Sequence, residues 1–246
     1  MFYPHGPFSS SSAMTAPSPT VEAYLLGRVE FGRCLRLQQQ LIEEVALRDD
    51  GQITLLLCEH PQVITIGRGG SPTDVATTSR PIRNRQIEVE WVNRGGGCLV
   101  HCVGQLAIYP LVPLRWHGFS LGEFLDRFQA GLLETLDDVQ VRGQAPPGRH
   151  GIWGRTGQLA AFGVAVRRWV TYYGAYLNVG PPKGLFRLVE SDPQQGTPMS
   201  SLVTERHSSV KMTSVRAALV TRLAEAFGCE RYHLYTGHPR LRGGVR

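Results

Sequence analysis

Apolar positions along this chain switch between two rhythms, and the switches outline its elements. Residues 21–26 have the pattern of a short strand. Across residues 31–47, Leu35, Leu37, Leu41, Ile42, Val45 and Ala46 fall at helical spacing with Glu and Arg between them, and Asp49-Asp50-Gly51 ends the helix. Ile53-Thr54-Leu55-Leu56-Leu57-Cys58 is a nearly continuous apolar run, the mark of a strand covered on both faces. Glu59-His60-Pro61 turns the chain, residues 63–66 form another apolar run, and residues 71–85 read as a flexible, polar segment. Strands are predicted at 87–92 and 106–112, the second ending at Pro113. Ser120, with Glu123 three residues on, has the spacing of a capping box for a helix over 121–136. A Pro/Gly loop at 144–149 precedes two strands, 159–166 and 171–179, joined through Arg167-Arg168-Trp169. After a loop-rich stretch from Pro181 to Ser201, Val215, Leu219, Leu223 and Phe227 mark a last amphipathic helix over 213–227.

Helices and strands follow one another without a regular βαβ rhythm, which predicts an α+β domain with no internal repeat. The domain is expected over 21–230, after a disordered Ser- and Pro-rich leader at 1–20 and before a C-terminal tail at 231–246.

The most informative stretch is Asn93-Arg94-Gly95-Gly96-Gly97-Cys98-Leu99-Val100-His101-Cys102-Val103-Gly104-Gln105. Three glycines after a strand let backbone N–H groups come close to a ligand, and equally they can make a plain hairpin turn. The loop is not a Walker A motif, because no Gly-Lys-Ser/Thr follows. It is not a dinucleotide fingerprint either, because a strand pattern follows where a helix should begin.

Charge and cysteine content narrow the class. The net charge of +6 comes almost wholly from arginine, since Lys183 and Lys211 are the only lysines. The arginines are dispersed, with no basic block, so a nucleic-acid partner is not expected. No apolar run is long enough to span a membrane, and no membrane partner is expected. Five cysteines (Cys34, Cys58, Cys98, Cys102, Cys229) are scattered and odd in number, which favours reduced thiols and a cytoplasmic protein. Cys98 and Cys102 are the close pair, with His101 beside them, and this is too few ligands for a metal site. Neither metal nor cofactor is expected.

Several ordered motifs resemble one family. Leu55-Leu56-Leu57-Cys58-Glu59-His60-Pro61, followed by Val63, Thr65, Gly67 and Arg68, is similar to a segment of the octanoyltransferases of lipoate biosynthesis. Arg94-Gly95-Gly96 through His101, Gly104-Gln105-Leu106 and Tyr109-Pro110 resemble that family's glycine-loop signature. Gly151-Ile152-Trp153, Ala161-Phe162-Gly163, Arg168-Trp169-Val170-Thr171, Gly174, Leu177-Asn178-Val179, Phe186, Leu188 and Ser201-Leu202 follow in the family's order. The resemblance spans about residues 22–230.

It implies the biotin and lipoate ligase type of fold, with a mixed, mainly antiparallel sheet flanked by helices. It implies a family activity too: an octanoyl group passes from acyl carrier protein to a lysine of lipoyl domains, through a thioester on an enzyme cysteine. By resemblance, Arg94, Gly95, Gly96, Gly97, Cys98, Leu99, Val100 and His101 would line one side of the acyl site. Ala161, Phe162, Gly163, Gly174, Ala175 and Tyr176 would line the other, with Arg68, Gln105 and Asn178 in support. Octanoyl-acyl carrier protein and lipoyl domains would be the partners, and the positive charge would suit their acidic surfaces.

The family's reacting pair is missing, however. Its lysine falls at Gln158 and its cysteine at Asp192, and the chain has no cysteine between Cys102 and Cys229, so no shift of alignment restores one. Glutamine carries no charge to lower a neighbouring pKa. An aspartyl mixed anhydride is a far higher-energy species than a thioester. The family's His-Gly-Pro-Gly is altered to His101-Cys102-Val103-Gly104, and a later family histidine is Tyr173. The expectation is a homologue inactive by the usual mechanism that binds an acyl chain or carrier protein. The alternative is an active transferase with its nucleophile relocated to Cys102 or Cys98, and an ATP-using lipoate or biotin ligase is a weaker third.

Overall fold

The computed structural model describes residues 19–76, 84, 86–189 and 198–241. Ten strands make two sheets. The larger contains β1 (Thr20–Arg28), β2 (Ile53–Glu59), β6 (Gln105–Leu111), β7 (Gly151–Trp153), β8 (Gln158–Arg167), β9 (Val170–Asn178) and β10 (Arg231–Thr236), in the order β10-β1-β2-β6-β9-β8-β7. The pairings β2–β6, β6–β9, β8–β9 and β7–β8 are antiparallel, while β1 runs parallel to both β2 and β10. The smaller sheet has β3 (Val63–Ile66) between β4 (Glu88–Trp91) and β5 (Cys98–His101). The single α+β domain is what the pattern of elements predicts, and the mixed, mainly antiparallel sheet is what the family resemblance implies.

Strand β2 shows why an unbroken apolar run belongs in the middle of such a sheet. Successive side chains point to opposite faces. Leu55 and Leu57 enter one core, while Leu56 and Cys58 enter the other. The first core packs under two helices, α3 (Leu121–Asp138) and α5 (Met212–Ala226), through Phe124, Phe128, Leu132, Val215, Leu219 and Leu223. The second packs under α1 (Phe31–Arg48), through Phe31, Leu37, Ile42 and Val45 against Tyr109, Leu111 and Tyr176. A third, smaller core holds Ile64, Ile66, Val100, Leu188 and Val189 together and fastens the small sheet.

The predicted capping box is present: Ser120 Oγ accepts from Glu123 N at 3.1 Å, and Glu123 Oε2 accepts from Ser120 N at 2.8 Å. The β8–β9 hairpin turns on Arg168 (φ 52°) and Trp169 (φ 61°), a primed two-residue turn built without Gly or Asn. Arg115, on the short helix α2 (Leu114–His117), covers the Trp169 ring at 4.5 Å.

Some expectations change. Residues 231–246, read as a tail, begin with β10, which hydrogen-bonds along β1 from Arg231 opposite Thr20 to Thr236 opposite Leu25. All six β10 residues are exposed, so an edge strand held by its backbone ladder left no buried apolar pattern to read. At the other end, Thr20, assigned to the leader, already belongs to β1; residues 1–18 lie outside the described residues. The polar segment 71–85 opens with an ordered 3-10 turn, Pro72–Asp74, closed by a reciprocal Ser71–Asp74 cap. The loop-rich stretch contains a 3-10 turn, Lys183–Leu188, and leads into the helix α4 (Leu202–Arg206), capped by Ser201. No helix among the described residues is long and apolar enough to cross a membrane.

Candidate functional site

The glycine loop between β4 and β5 lies against a second glycine segment that follows β3. Arg68 N donates to the Arg94 carbonyl at 3.0 Å, Gly69 N to Gly96 O at 3.0 Å and Gly67 N to Gly97 O at 3.2 Å. These short contacts explain the composition. A Cβ on Gly67 would stand 2.5 Å from Gly96 O, so neither segment tolerates a side chain there. Gly95 N reaches across to Val164 O at 3.2 Å and ties the loop to the large sheet.

A cavity of about 520 Å³ opens in front of this loop. Gly69, Ser71, Asp74, Arg94, Gly96, Gly97 and Leu99 form one wall. The facing wall comprises Arg149, His150, Trp153, Gln158, Ala161 and Phe162, from the loop before β7 and from β7 and β8. Its volume lies in the range of small-molecule sites, and an apolar floor with a few polar groups is their usual lining.

Arg94 is the most unusual side chain in the wall, being fully buried. Its Nη2 donates to Thr65 Oγ1 at 2.7 Å and to Thr65 O at 3.0 Å, its Nε to Thr65 Oγ1 at 3.2 Å, and its Nη1 to Gly95 O at 2.9 Å. No ion pair to a carboxylate is made by Arg94 among the described residues. Burial draws its pKa below the ordinary value, with Tyr176 leading the groups that oppose the shift. Arginine nevertheless stays protonated. The outcome is a buried cation satisfied only by neutral acceptors, at the edge of a cavity. Gly163 permits this placement, because a Cβ there would meet Arg94 Cδ at 2.8 Å.

His101 and its partners brace the wall from behind. Thr65 Oγ1 lies 2.8 Å from His101 Nε2, and Gln105 Oε1 lies 3.0 Å from Nδ1. Gln105 Nε2 donates to Asn178 Oδ1 at 2.9 Å and to Val100 O at 3.1 Å. The imidazole stacks on Phe31 at 5.3 Å and tilts against Tyr176 at 4.5 Å. Its pKa is pushed well below the usual histidine value, first by burial and then by the charges of His60 and Arg94, so the ring is neutral. Thr65 Oγ1 donates its proton to His101 Nε2 and accepts from Arg94, and Nδ1–H donates to Gln105.

The expected site residues therefore divide. Arg94, Gly96, Gly97, Leu99, Ala161 and Phe162 line the cavity, as does Gln158. His101, Gln105, Asn178 and Tyr176 lie one layer behind. Val100 is buried in the small third core. Gly174 and Ala175 sit in β9 against β6, where a Cβ on Gly174 would come 1.9 Å from Ile108 O. Arg68 is exposed and holds the Asn93 side chain and carbonyl at 3.4 Å. Asp192 lies outside the described residues. Ser71, Asp74, Arg149, His150 and Trp153 were missed from the sequence; Gly67-Arg68-Gly69-Gly70 was the available signal for the first two, because it leads directly into them.

Neither thiol of the glycine loop opens into the cavity. Cys98 is buried, with Sγ 3.4 Å from Ser71 O and 4.0 Å from Asp74 Oδ2; burial and then the Asp74 charge raise its pKa. Cys102, one residue past β5, is buried and absent from the cavity lining, and burial assisted by Glu59 pushes its pKa up to about 11. No cysteine and no lysine lines the cavity among the described residues.

Fold and site together define a lipoate-ligase type of domain with a cavity beside a glycine loop. Solved structures with the same architecture include a lipoate-protein ligase A bound with ATP (TM-score 0.72, 12% identity, covering 91% of this chain and 92% of that one). A bi-partite lipoate protein ligase from Thermoplasma acidophilum is similarly close (TM-score 0.71, 13% identity, 91% and 89% covered). At such identities the likeness concerns the fold alone. The sequence is more specific: residues 32–229 match the lipoyl protein ligase A/B catalytic domain. An octanoyltransferase of Geotalea uraniireducens is 38% identical over 197 residues, covering 80% of this chain and 88% of the relative. One of Geobacter metallireducens is 37% identical, covering 80% and 89%. This chain belongs to the octanoyltransferase branch of the lipoyl protein ligase A/B family.

Proposed function

We propose that the protein binds an octanoyl group, its carrier protein or a lipoyl domain in the cytoplasm, and does not transfer the acyl group through an enzyme thioester. One observation carries this reading: Gln158 stands in the cavity wall where the family's lysine falls, while no thiol faces it there. The cavity otherwise keeps what binding requires. Leu99, Ala161 and Phe162 supply apolar surface for a short acyl chain, and the buried Arg94 sets a fixed positive charge behind the loop that a thioester carbonyl would face. The net charge of +6 favours encounter with acidic carrier domains.

The test is to incubate the purified chain with octanoyl-acyl carrier protein, then measure binding by calorimetry and look for an octanoyl adduct by intact mass. Saturable binding without adduct is expected. A stable octanoyl adduct on any cysteine overturns the reading, and loss of all binding to carrier and lipoyl domains removes its positive half.

A relocated nucleophile has one observation in its favour, namely that Cys98 Sγ touches two residues of the cavity wall, Ser71 and Asp74. Its raised pKa opposes that role, because a thiolate is the reacting form. If Cys98 were the nucleophile, Cys98→Ser would abolish an adduct that the wild type forms.

A further inference from the structure

Away from the cavity, three donor atoms converge in the core under α1. Cys34 Sγ lies 3.9 Å from Cys58 Sγ, and Cys58 Sγ lies 3.6 Å from His60 Nε2. All three donor atoms lie within 4.8 Å of one another, and all three residues are buried. The geometry points to a binding site for one thiophilic divalent cation, zinc(II) by preference, ligated by Cys34 Sγ, Cys58 Sγ and His60 Nε2.

The spacing is what such an ion requires. With metal–sulfur bonds of about 2.3 Å and metal–nitrogen bonds of about 2.0 Å at tetrahedral angles, two sulfurs stand about 3.8 Å apart and a sulfur and nitrogen about 3.5 Å. The two separations that involve Cys58 are 3.9 and 3.6 Å, and the third, Cys34 to His60, lies within 4.8 Å. His60 is also held in the right tautomer. Nδ1 donates to Val29 O at 2.6 Å, which leaves the Nε2 lone pair directed at the cluster, and an anchored second nitrogen is the usual support of a metal-bound imidazole. Tyr109 Oη, 2.7 Å from Nε2, currently donates to that lone pair. Metal entry takes that lone pair, so the Tyr109 hydroxyl gives up this bond.

Charge favours the ion as well. Two thiolates and a neutral imidazole cancel a divalent cation, so the complex adds no net charge to an apolar core. Ligation forms two metal–sulfur bonds and one metal–nitrogen bond, and the two thiol protons leave to solvent. A simple disulfide fits less well, since its sulfurs stand about 2.05 Å apart. The cluster lies directly behind the binding wall: the His60 ring meets His101 edge-on at 6.0 Å. A metal there would stiffen the layer that supports Arg94.

The reduced full-length chain, stripped with chelator, should be titrated with cobalt(II). One equivalent is expected to give a thiolate-to-cobalt charge-transfer band with tetrahedral d–d absorption, and zinc(II) is expected to displace it and raise the thermal midpoint. The double variant Cys34→Ser/Cys58→Ser should lose both signals, while Cys229→Ser keeps them. Should the double variant fail to fold, X-ray absorption of the zinc-loaded wild type decides, with two sulfur and one nitrogen neighbours expected. Absence of the charge-transfer band, its persistence in a folded double variant, or recovery only of a Cys34–Cys58 disulfide 2 Da lighter would overturn the site.

Discussion

The two walls of the cavity are built on different principles. The glycine-loop wall is fastened from behind by a continuous set of buried polar groups, Arg94–Thr65–His101–Gln105–Asn178, in which each hydrogen bond orients the next. The facing wall presents Gln158, Trp153, Ala161 and Phe162, of which Gln158 makes its described hydrogen bonds through its backbone, to Pro198 O and from Ser200 N. A buried network that loses one member leaves the others unpaired in a low-dielectric interior, so its members depend on one another. A side chain at a cavity surface has no such dependents. Chemistry can therefore leave the second wall without disturbing the first. That is the arrangement seen among the described residues: a fastened glycine-loop wall faced by a wall in which Gln158 presents a neutral amide.

The largest effect should come from restoring the two residue types that the family's mechanism uses. The double variant Gln158→Lys/Asp192→Cys is expected to form an octanoyl adduct with octanoyl-acyl carrier protein, moving from no adduct to stoichiometric modification by intact mass, whereas either single change gives none. A fully inert double variant would mean that the first wall no longer positions an acyl group.

Damage to the first wall should appear as lost stability. Arg94→Lys keeps the charge but cannot reach Thr65 and Gly95 together, and is expected to cost about 3 kcal/mol in denaturant unfolding. The neutral His60 behind that wall gives a similar figure by a different route. Burial lowers the His60 pKa from 6.5 to about 4, and His101 is lowered in the same direction. Because the unfolded chain binds these protons and the folded chain refuses them, their contribution is present above pH 6.5 and is lost as the pH falls toward 4. For His60 in metal-free protein the fall is about 3 kcal/mol. Urea titrations at pH 7 and pH 4.5 measure it, and His101→Gln should flatten the curve.

The smallest effect belongs to the second wall again. Gln158→Ala should change stability by less than about 1 kcal/mol, because no described partner loses a hydrogen bond to its side chain. A cost comparable to that of Arg94→Lys would erase the distinction between the walls.

Much of this was legible in the sequence, for identifiable reasons. Strand β2 announced itself because both of its faces are covered, and α3 because Ser120 and Glu123 cap it locally. Arg94, Gly96 and Gly97 stood out because a loop packed backbone against backbone needs glycine, and they line the cavity with Gln158, while Asp192 lies outside the described residues. Strand β10 was illegible, since its stability resides in a backbone ladder and in packing such as Tyr235 on Tyr24 at 5.0 Å. Arg149 and His150 reach the cavity only through the folding of a loop, and Trp153 through the three-residue strand β7 that follows it. The Cys34–Cys58–His60 cluster joins a helix to a strand and the turn after it, a meeting that no local spacing encodes.

Single-turnover transfer tests the central claim most directly. Octanoyl-acyl carrier protein, a lipoyl domain and a stoichiometric amount of the wild-type chain are mixed, and octanoylation of the lipoyl lysine is followed by mass over time. The expected result is a rate equal to that of the mixture lacking the chain, together with measurable binding of the carrier. Octanoylated lipoyl domain appearing faster than in that control would contradict it.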